Sequence, residues 1–71
     1  MVSVYVRLLG EGVEVYRPVP ASMVSTSTFV LDGEDIYDPK DEDWEFPPGS
    51  LVNVETKILD GESVLVAVSR T

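Results

Sequence analysis

The sequence contains no cysteine and no histidine, and these two absences exclude several kinds of site. Without cysteine there is neither a disulfide bond nor a thiolate ligand for a metal ion. Without histidine the commonest general base is missing, and the serines have no imidazole to activate them. We therefore expect no enzymatic activity, no cofactor and no transition-metal site. The lack of cysteine also fits a reducing, cytoplasmic environment.

Long apolar runs are missing as well. No stretch approaches the roughly 20 apolar residues that a membrane helix needs, and no basic leader with an apolar core precedes the first strand-like run. We therefore expect neither a membrane segment nor a secretory signal. The chain has 71 residues, which is the size of a single small domain covering residues 1–71.

Positive charge is scarce, because five basic residues face thirteen carboxylates and the formal net charge is −8. Eight carboxylates lie in one stretch: Asp32, Glu34, Asp35, Asp38, Asp41, Glu42, Asp43 and Glu45. Such a field repels phosphate backbones and anionic lipid. The composition therefore argues against direct binding of nucleic acid or membrane. It favours a protein partner with a basic surface, although an acidic loop that only keeps a small domain soluble is the simpler interpretation.

The clearest structural signal lies between Pro47 and Val68. Pro47-Pro48-Gly49-Ser50 is typical of a type II turn, and Asp60-Gly61 of the type I′ turn of a β-hairpin. Between them the chain alternates, which predicts one buried face of a strand formed by Val52, Val54, Thr56 and Ile58. The returning strand, residues 64–68, is apolar on both faces, so we expect it to be central or covered.

Shorter strands are predicted upstream. Alternation indicates one strand from Val2 to Leu8 and a second over residues 13–16, which Pro18 and Pro20 should end or confine to an edge. A third covers residues 26–31. A short extended piece is predicted at residues 35–37.

One short helical turn is predicted after residue 37. Asp38 followed by Pro39 resembles a helix N-cap with proline at the first helical position, and Pro47 limits the turn. These elements predict an all-β fold, a small five-stranded Src-homology-3-like barrel with an acidic loop and one short helical turn. An open sheet that forms oligomers is the second choice.

The patterns VRLLGEGVEVYRPV, WEFPPGSLVNVE and VLVAV resemble those of a group of small uncharacterised bacterial proteins. The resemblance covers most of the chain and implies a bacterial origin and a Src-homology-3-like barrel. It implies no site residues. Src-homology-3 modules use an aromatic run and paired tryptophans for proline-rich ligands. This chain lacks the aromatic run and has one tryptophan.

The candidate binding residues lie in the stretch EDWEF and just before it. Trp44 and Phe46 could anchor a basic partner, surrounded by Asp41, Glu42 and Asp43. The alternative is that both aromatic side chains cover one end of the barrel. A calcium site is rejected, because the twelfth position of the loop, counting Asp38 as the first, is Gly49, where a calcium loop has a bidentate glutamate.

Two further pairs of residues have structural interpretations. Arg7 and Arg17 are expected to form cross-strand pairs with Glu14 or Glu55. Tyr5 and Tyr16 are expected on the outer face of their strands, either as an exposed patch or as a cover for the sheet.

The leading functional hypothesis is a non-catalytic protein-interaction module of a bacterial cytoplasmic protein. The alternative is an acidic inhibitor that occupies the nucleic-acid-binding site of a partner protein, because clustered carboxylates can imitate phosphates. A third interpretation is a homo-oligomer that associates through an edge near residues 18–20.

Overall fold

In the computed structural model, residues 2–71 are described, and they form an all-β domain. The strands are β1 (Val2–Leu9), β2 (Val15–Met23), β3 (Thr28–Leu31), β4 (Asp43–Trp44), β5 (Leu51–Leu59) and β6 (Glu62–Arg70). The predicted fold class is confirmed at this level. The part of the chain that the structure describes offers no helix that could span a membrane.

The five longer strands are paired in a ring. Neighbours are antiparallel from β1 to β2, β2 to β3, β3 to β5 and β5 to β6, and β6 then pairs with β1 in parallel through Val66 and Tyr5. The parallel closure follows from the strand number, because a chain that reverses at each step runs in its first direction again at the fifth strand. β6 thus lies between β5 and β1, in agreement with the prediction that this strand is central or covered.

The core fills the inside of the ring. It contains the inward-facing valines and Leu8 of β1, the large side chains of β3 and the first half of β5, together with the rings of Trp44 and Phe46. The largest fully buried side chains are Phe29, Leu31, Val4, Val6, Val19, Val52 and Val66. Alternate residues of β1 therefore face inward, and Tyr5 and Arg7 face outward, as predicted.

Both predicted turns are confirmed. Gly49 has φ 89°, and the amide of Ser50 donates to the carbonyl of Pro47 at 3.2 Å, as a type II turn requires. Asp60 and Gly61 have φ 51° and 81°, the two positive values that define a type I′ hairpin. These turns are determined by their own residues, so the sequence predicts them well.

β2 continues through Pro18 and Pro20, so the predicted end of this strand is wrong. The carbonyl of Pro20 accepts a hydrogen bond from the amide of Asp32 at 2.8 Å, away from β1. Since the nitrogen and carbonyl of one residue point to the same side of an antiparallel strand, the ring nitrogens also point away from β1. On that side of β2, β3 pairs only from Ala21 onward. The missing N–H groups of Pro18 and Pro20 therefore remove no hydrogen bond from the ladder. The prediction that this stretch lies at an edge is confirmed.

The predicted helical turn and the predicted extended piece at residues 35–37 are both wrong. Residues 2–71 contain no helix, and residues 34–36 and 39–41 form hydrogen-bonded turns instead. Each turn is a single turn that does not continue into a helix. The chain between Gly33 and Pro47 then returns to β1, where Trp44 pairs with Leu8. β4, which pairs with Leu8 and Leu9 of β1, is a strand that the sequence did not predict.

The far half of the β5–β6 hairpin extends beyond the core. Val52 is fully buried, whereas Ile58, on the same face, is 67% exposed, so the prediction of one continuously buried face is wrong in its second half. β3 pairs with β5 only at Leu51–Asn53. Val54 is still buried, but the next two residues on that face, Thr56 and Ile58, are exposed. A bulge at Asn53/Val54, opposite the extra residue Val68, bends the hairpin where it leaves the core.

Candidate protein-interaction surface

The acidic segment, defined as residues 32–45, is folded by two successive turns of the same design. In the first, the carbonyl of Gly33 accepts hydrogen bonds from the amides three and four residues later, both at 3.0 Å. In the second, the carbonyl of Asp38 does the same at 2.9 Å, and its carboxylate accepts from the amide of Lys40 at 3.0 Å. The Asp-Pro pair therefore caps a turn, as its residues predict, although no helix follows.

Trp44 and Phe46 fasten this segment to the ring. Trp44 is 2% exposed and Phe46 8%, so both lie in the core and cover it, which was the alternative considered for them. The ring of Tyr37 packs on Trp44 with centroids 4.8 Å apart and planes tilted by 60°. Neither predicted aromatic anchor presents surface to a partner in this structure.

Glu42 is turned inward and connects the segment to β2. Its Oε1 lies 3.4 Å from Nε of Arg17 and accepts a hydrogen bond from Trp44 Nε1 at 3.2 Å. A guanidinium nitrogen of Arg17 donates to the other carboxylate oxygen at 3.5 Å. The expected pairing of Arg17 with Glu14 or Glu55 is therefore wrong. Arg17 is opposite the buried Val6 in the β1–β2 ladder, so its side chain lies on the inner face of β2, where it contacts Glu42.

The remaining carboxylates of the acidic segment face the solvent. Of the predicted site residues, Asp41 and Asp43 are exposed and Glu42 is half-buried. Those exposed are Asp32, Glu34, Asp35, Asp38, Asp41, Asp43 and Glu45. Within residues 2–71, no three acidic side chains are grouped so that they could hold a metal ion. The five predicted site residues thus divide into an inward set of three, which fastens the segment, and an outward pair of carboxylates.

A groove that the sequence did not predict lies between the end of the hairpin and the outer face of β1 and β2. It has a volume of about 370 Å³ and is lined by Tyr5, residues 14–16 and residues 58–60. The hydroxyl of Tyr16 donates a hydrogen bond to Glu14 Oε1 at 2.6 Å. This bond, with burial and the charge of Glu14, raises the pKa of Tyr16 above its ordinary value of 10.0. The expected outward positions of both tyrosines are confirmed.

A smaller groove adjoins the first. It has a volume of about 200 Å³, shares Glu14 and Tyr16 with its neighbour, and is also lined by Arg7, Lys57 and Glu45. Glu45 ends the acidic segment, and its charge contributes to the raised pKa of Tyr16. The acidic segment and the two grooves therefore form one continuous surface. The sequence indicated the acidic segment by its composition, but the only signals for the grooves were the two outward tyrosines and the hairpin turn.

Comparison of the chain with protein-family models, with curated proteins and with solved structures finds no match. The functional interpretation therefore depends on this surface alone.

Proposed function

We propose that this domain is a non-catalytic protein-interaction module that binds a partner with a basic surface. The observation that carries the proposal is the construction of the acidic segment. Three inward side chains, Glu42, Trp44 and Phe46, attach the segment to the ring, while its other carboxylates stay in water. A charged surface that is already held in place loses less conformational entropy when a partner binds.

Charge and shape support the proposal in different ways. A formal net charge of −8, concentrated in one segment, attracts a basic partner and raises the rate of encounter. The attachment through β4 fixes where those charges are presented, since the amide of Glu45 also donates to the carbonyl of Arg7 at 2.9 Å. We further infer a Src-homology-3-like barrel and a bacterial, cytoplasmic setting, supported by the five-stranded ring and by the sequence patterns described above.

A matched pair of charge variants tests the proposal. Asp35→Asn/Asp41→Asn/Asp43→Asn removes three exposed carboxylates from the acidic segment, and Glu11→Gln/Glu55→Gln/Glu62→Gln removes three exposed ones elsewhere. The immobilised domain is used to capture proteins from bacterial lysate, and each captured protein is then titrated. We expect the first variant to lose roughly tenfold in affinity for the partner, about 1.4 kcal/mol from three rim charges, and the second to lose less than about twofold.

Two further measurements complete the test: the salt dependence of the affinity for the partner, and competition between the domain and nucleic acid for that partner. Affinity for the partner should fall as salt rises from about 50 to 500 mM, since exposed charges are screened over that range. Equal losses in the two triple variants would contradict the proposal. Nucleic acid that competes with the domain for the partner would favour the alternative, an acidic inhibitor of a nucleic-acid-binding site.

A further inference from the structure

We propose that the 370 Å³ groove between the hairpin end and β1–β2 binds an arginine side chain of the basic partner. This inference rests on the proposed function and specifies the contact that gives it selectivity. Four features of the groove support the choice of arginine: its acidic lining, its aromatic and aliphatic surface, its constrained acidic residues and its size.

The first feature is charge. The larger groove is lined by two carboxylates, Glu14 and Asp60, and by no basic residue. The smaller groove beside it is lined by Glu14 and Glu45 but also by Arg7 and Lys57, so its charges are balanced within the chain. Glu14 is common to both grooves, but Asp60 lines only the larger one, whose lining contains no basic residue. A cation supplied from outside is therefore more complementary to the larger groove than to the smaller one.

The second feature is the lining. Tyr5 and Tyr16 contribute half-buried aromatic rings, and Ile58 and Leu59 contribute aliphatic surface. Arginine matches both parts, since its aliphatic stem packs on apolar groups and its guanidinium stacks on aromatic faces. Ile58 is 67% exposed, so contact with such a stem would remove apolar surface from water.

The third feature is that both acidic residues are constrained before a ligand arrives, Glu14 through its side chain and Asp60 through its backbone. Glu14 accepts the hydrogen bond of the Tyr16 hydroxyl at 2.6 Å, which leaves its second oxygen available. Asp60 sits in the type I′ turn with φ 51°, so its backbone direction is fixed by the hairpin. A guanidinium offers several N–H donors in one plane and can serve two acceptors at once, whereas an ammonium is a single point charge.

The fourth feature is size, and the net charge of the chain argues against a second copy as the occupant. A volume of about 370 Å³ accommodates a side chain or a small ligand and not a folded surface. Two copies, each with a formal charge of −8, would repel one another. A basic partner has the opposite sign and can approach.

The direct test is a titration of the ¹⁵N-labelled domain with acetyl-Gly-Arg-Gly-amide, followed by amide chemical shifts. The control peptide carries citrulline, which keeps the shape of arginine without its charge. We expect shifts at Tyr5, residues 14–16 and residues 58–60, with a dissociation constant on the order of 1 mM. The citrulline peptide should bind at least about tenfold more weakly. Equal shifts with both peptides, or shifts confined to residues 32–45, would overturn the proposal.

Two double variants test the residues. Glu14→Gln/Asp60→Asn neutralises the groove, and asparagine tolerates the positive φ of residue 60. Glu11→Gln/Glu62→Gln removes the same charge from neighbouring positions that do not line this groove. The first should weaken arginine binding about tenfold and the second less than about twofold, because only close charges act strongly in water. Equal effects would mean non-specific attraction and would contradict the site. Unfolding curves verify that both variants fold.

The outcomes separate this site from the proposed function. If the partner still binds the groove variant with full affinity but loses affinity for the acidic-segment triple variant, the arginine site is wrong and the interaction module stands. If the partner responds to neither set of substitutions while the arginine peptide binds at the groove, the arginine site stands and the proposed basic-partner docking is wrong.

Discussion

Two segments project from the five-stranded ring, and they are attached in opposite ways. The acidic segment carries Trp44 inward and is followed by Phe46, so both rings lie in the core, while its carboxylates other than Glu42 face water. The hairpin end, defined as residues 55–65, is held chiefly by the ladder between its own two strands and leaves Ile58 exposed. A segment with little regular secondary structure is thus firmly packed through Trp44, whereas the end of a regular hairpin is not.

The comparison shows that regularity and attachment are separate properties. A hairpin ladder satisfies its own backbone groups and needs no neighbour, but an isolated two-stranded hairpin is only marginally stable. The acidic segment has two single turns and a two-residue strand, so its stability must come from buried side chains. Substitutions of inward-facing residues of the acidic segment should therefore cost more than comparable substitutions in the hairpin end, and the following predictions test this difference.

The largest effect is expected for Trp44→Ala. Removal of this buried side chain should lower the free energy of unfolding by about 3–5 kcal/mol, through lost burial and an unfilled cavity. Ile58→Ala, in the hairpin end, should change it by less than about 0.5 kcal/mol, as is usual for exposed positions. Urea unfolding followed by circular dichroism measures both. Because a small domain has a total stability of about 5 kcal/mol, Trp44→Phe is the milder variant to use if Trp44→Ala does not fold.

A second comparison uses two glycines with similar backbone conformations. Gly33 in the acidic segment has φ 93° and Gly61 in the hairpin turn has φ 81°. A Cβ atom at Gly33 would lie 3.2 Å from Val19 Cγ1 and 3.5 Å from the Trp44 ring, whereas a Cβ at Gly61 would meet nothing within 4 Å. Gly61→Ala should therefore cost about 1–2 kcal/mol from backbone strain alone.

Gly33→Ala should cost more, roughly 2–4 kcal/mol. The same backbone strain applies, and the added methyl group also lies too close to Val19, so the core must shift to make room. Thermal unfolding of both variants gives the difference. If the two variants lose equal stability, Gly33 is selected only for its φ, and the packing of the acidic segment is looser than its contacts indicate.

The same contrast explains what the sequence could predict. The turns at Gly49 and at Asp60-Gly61 depend on residues adjacent in the chain, and both were predicted. The exposure of Ile58 was not, because alternation tells which residues share a face but not where the neighbouring strand ends. The continuation of β2 was missed for a similar reason, since the effect of Pro18 depends on whether a neighbour needs its missing N–H.

The candidate site was predictable only in part. The acidic segment is visible as composition, and the two interpretations of Trp44 and Phe46 could be separated only by their burial. The pairing of Arg17 with Glu42 joins residues 25 positions apart, and no local pattern specifies it. The larger groove combines β1, residues 14–16 and the hairpin turn, so it exists only once the ring has closed.

A smaller effect is expected where the acidic segment is attached by charge. Arg17→Met keeps the length of the side chain but removes the ion pair with Glu42, and it should lower stability by about 1 kcal/mol, near the upper limit for a partly exposed pair. Lys57→Met, at an exposed position of the hairpin end, should have almost no effect. A double-mutant cycle with Glu42→Gln isolates the coupling between the two side chains. A coupling of zero would assign the attachment wholly to the aromatic residues.

The smallest effect concerns Tyr16, which faces the groove beside the hairpin end. Its hydroxyl donates to Glu14, and the phenolate would lose this bond and be repelled by the carboxylate, so its pKa is raised above 10.0. A raised pKa in the folded state means that the stabilisation is complete below the unfolded value of about 10 and is lost as the pH rises through the folded value. The stability difference between wild type and Tyr16→Phe should therefore be constant from about pH 7 to 9 and shrink above pH 10.

Spectrophotometric titration near 295 nm should detect a tyrosine with a raised pKa. Glu14→Gln should lower this pKa, because the substitution removes the charge while its amide oxygen can still accept the hydrogen bond. Ionisation of Tyr16 at an unchanged pH in that variant would show that the charge of Glu14 does not act on the hydroxyl in solution, and the groove would then lack its hydrogen-bonded carboxylate.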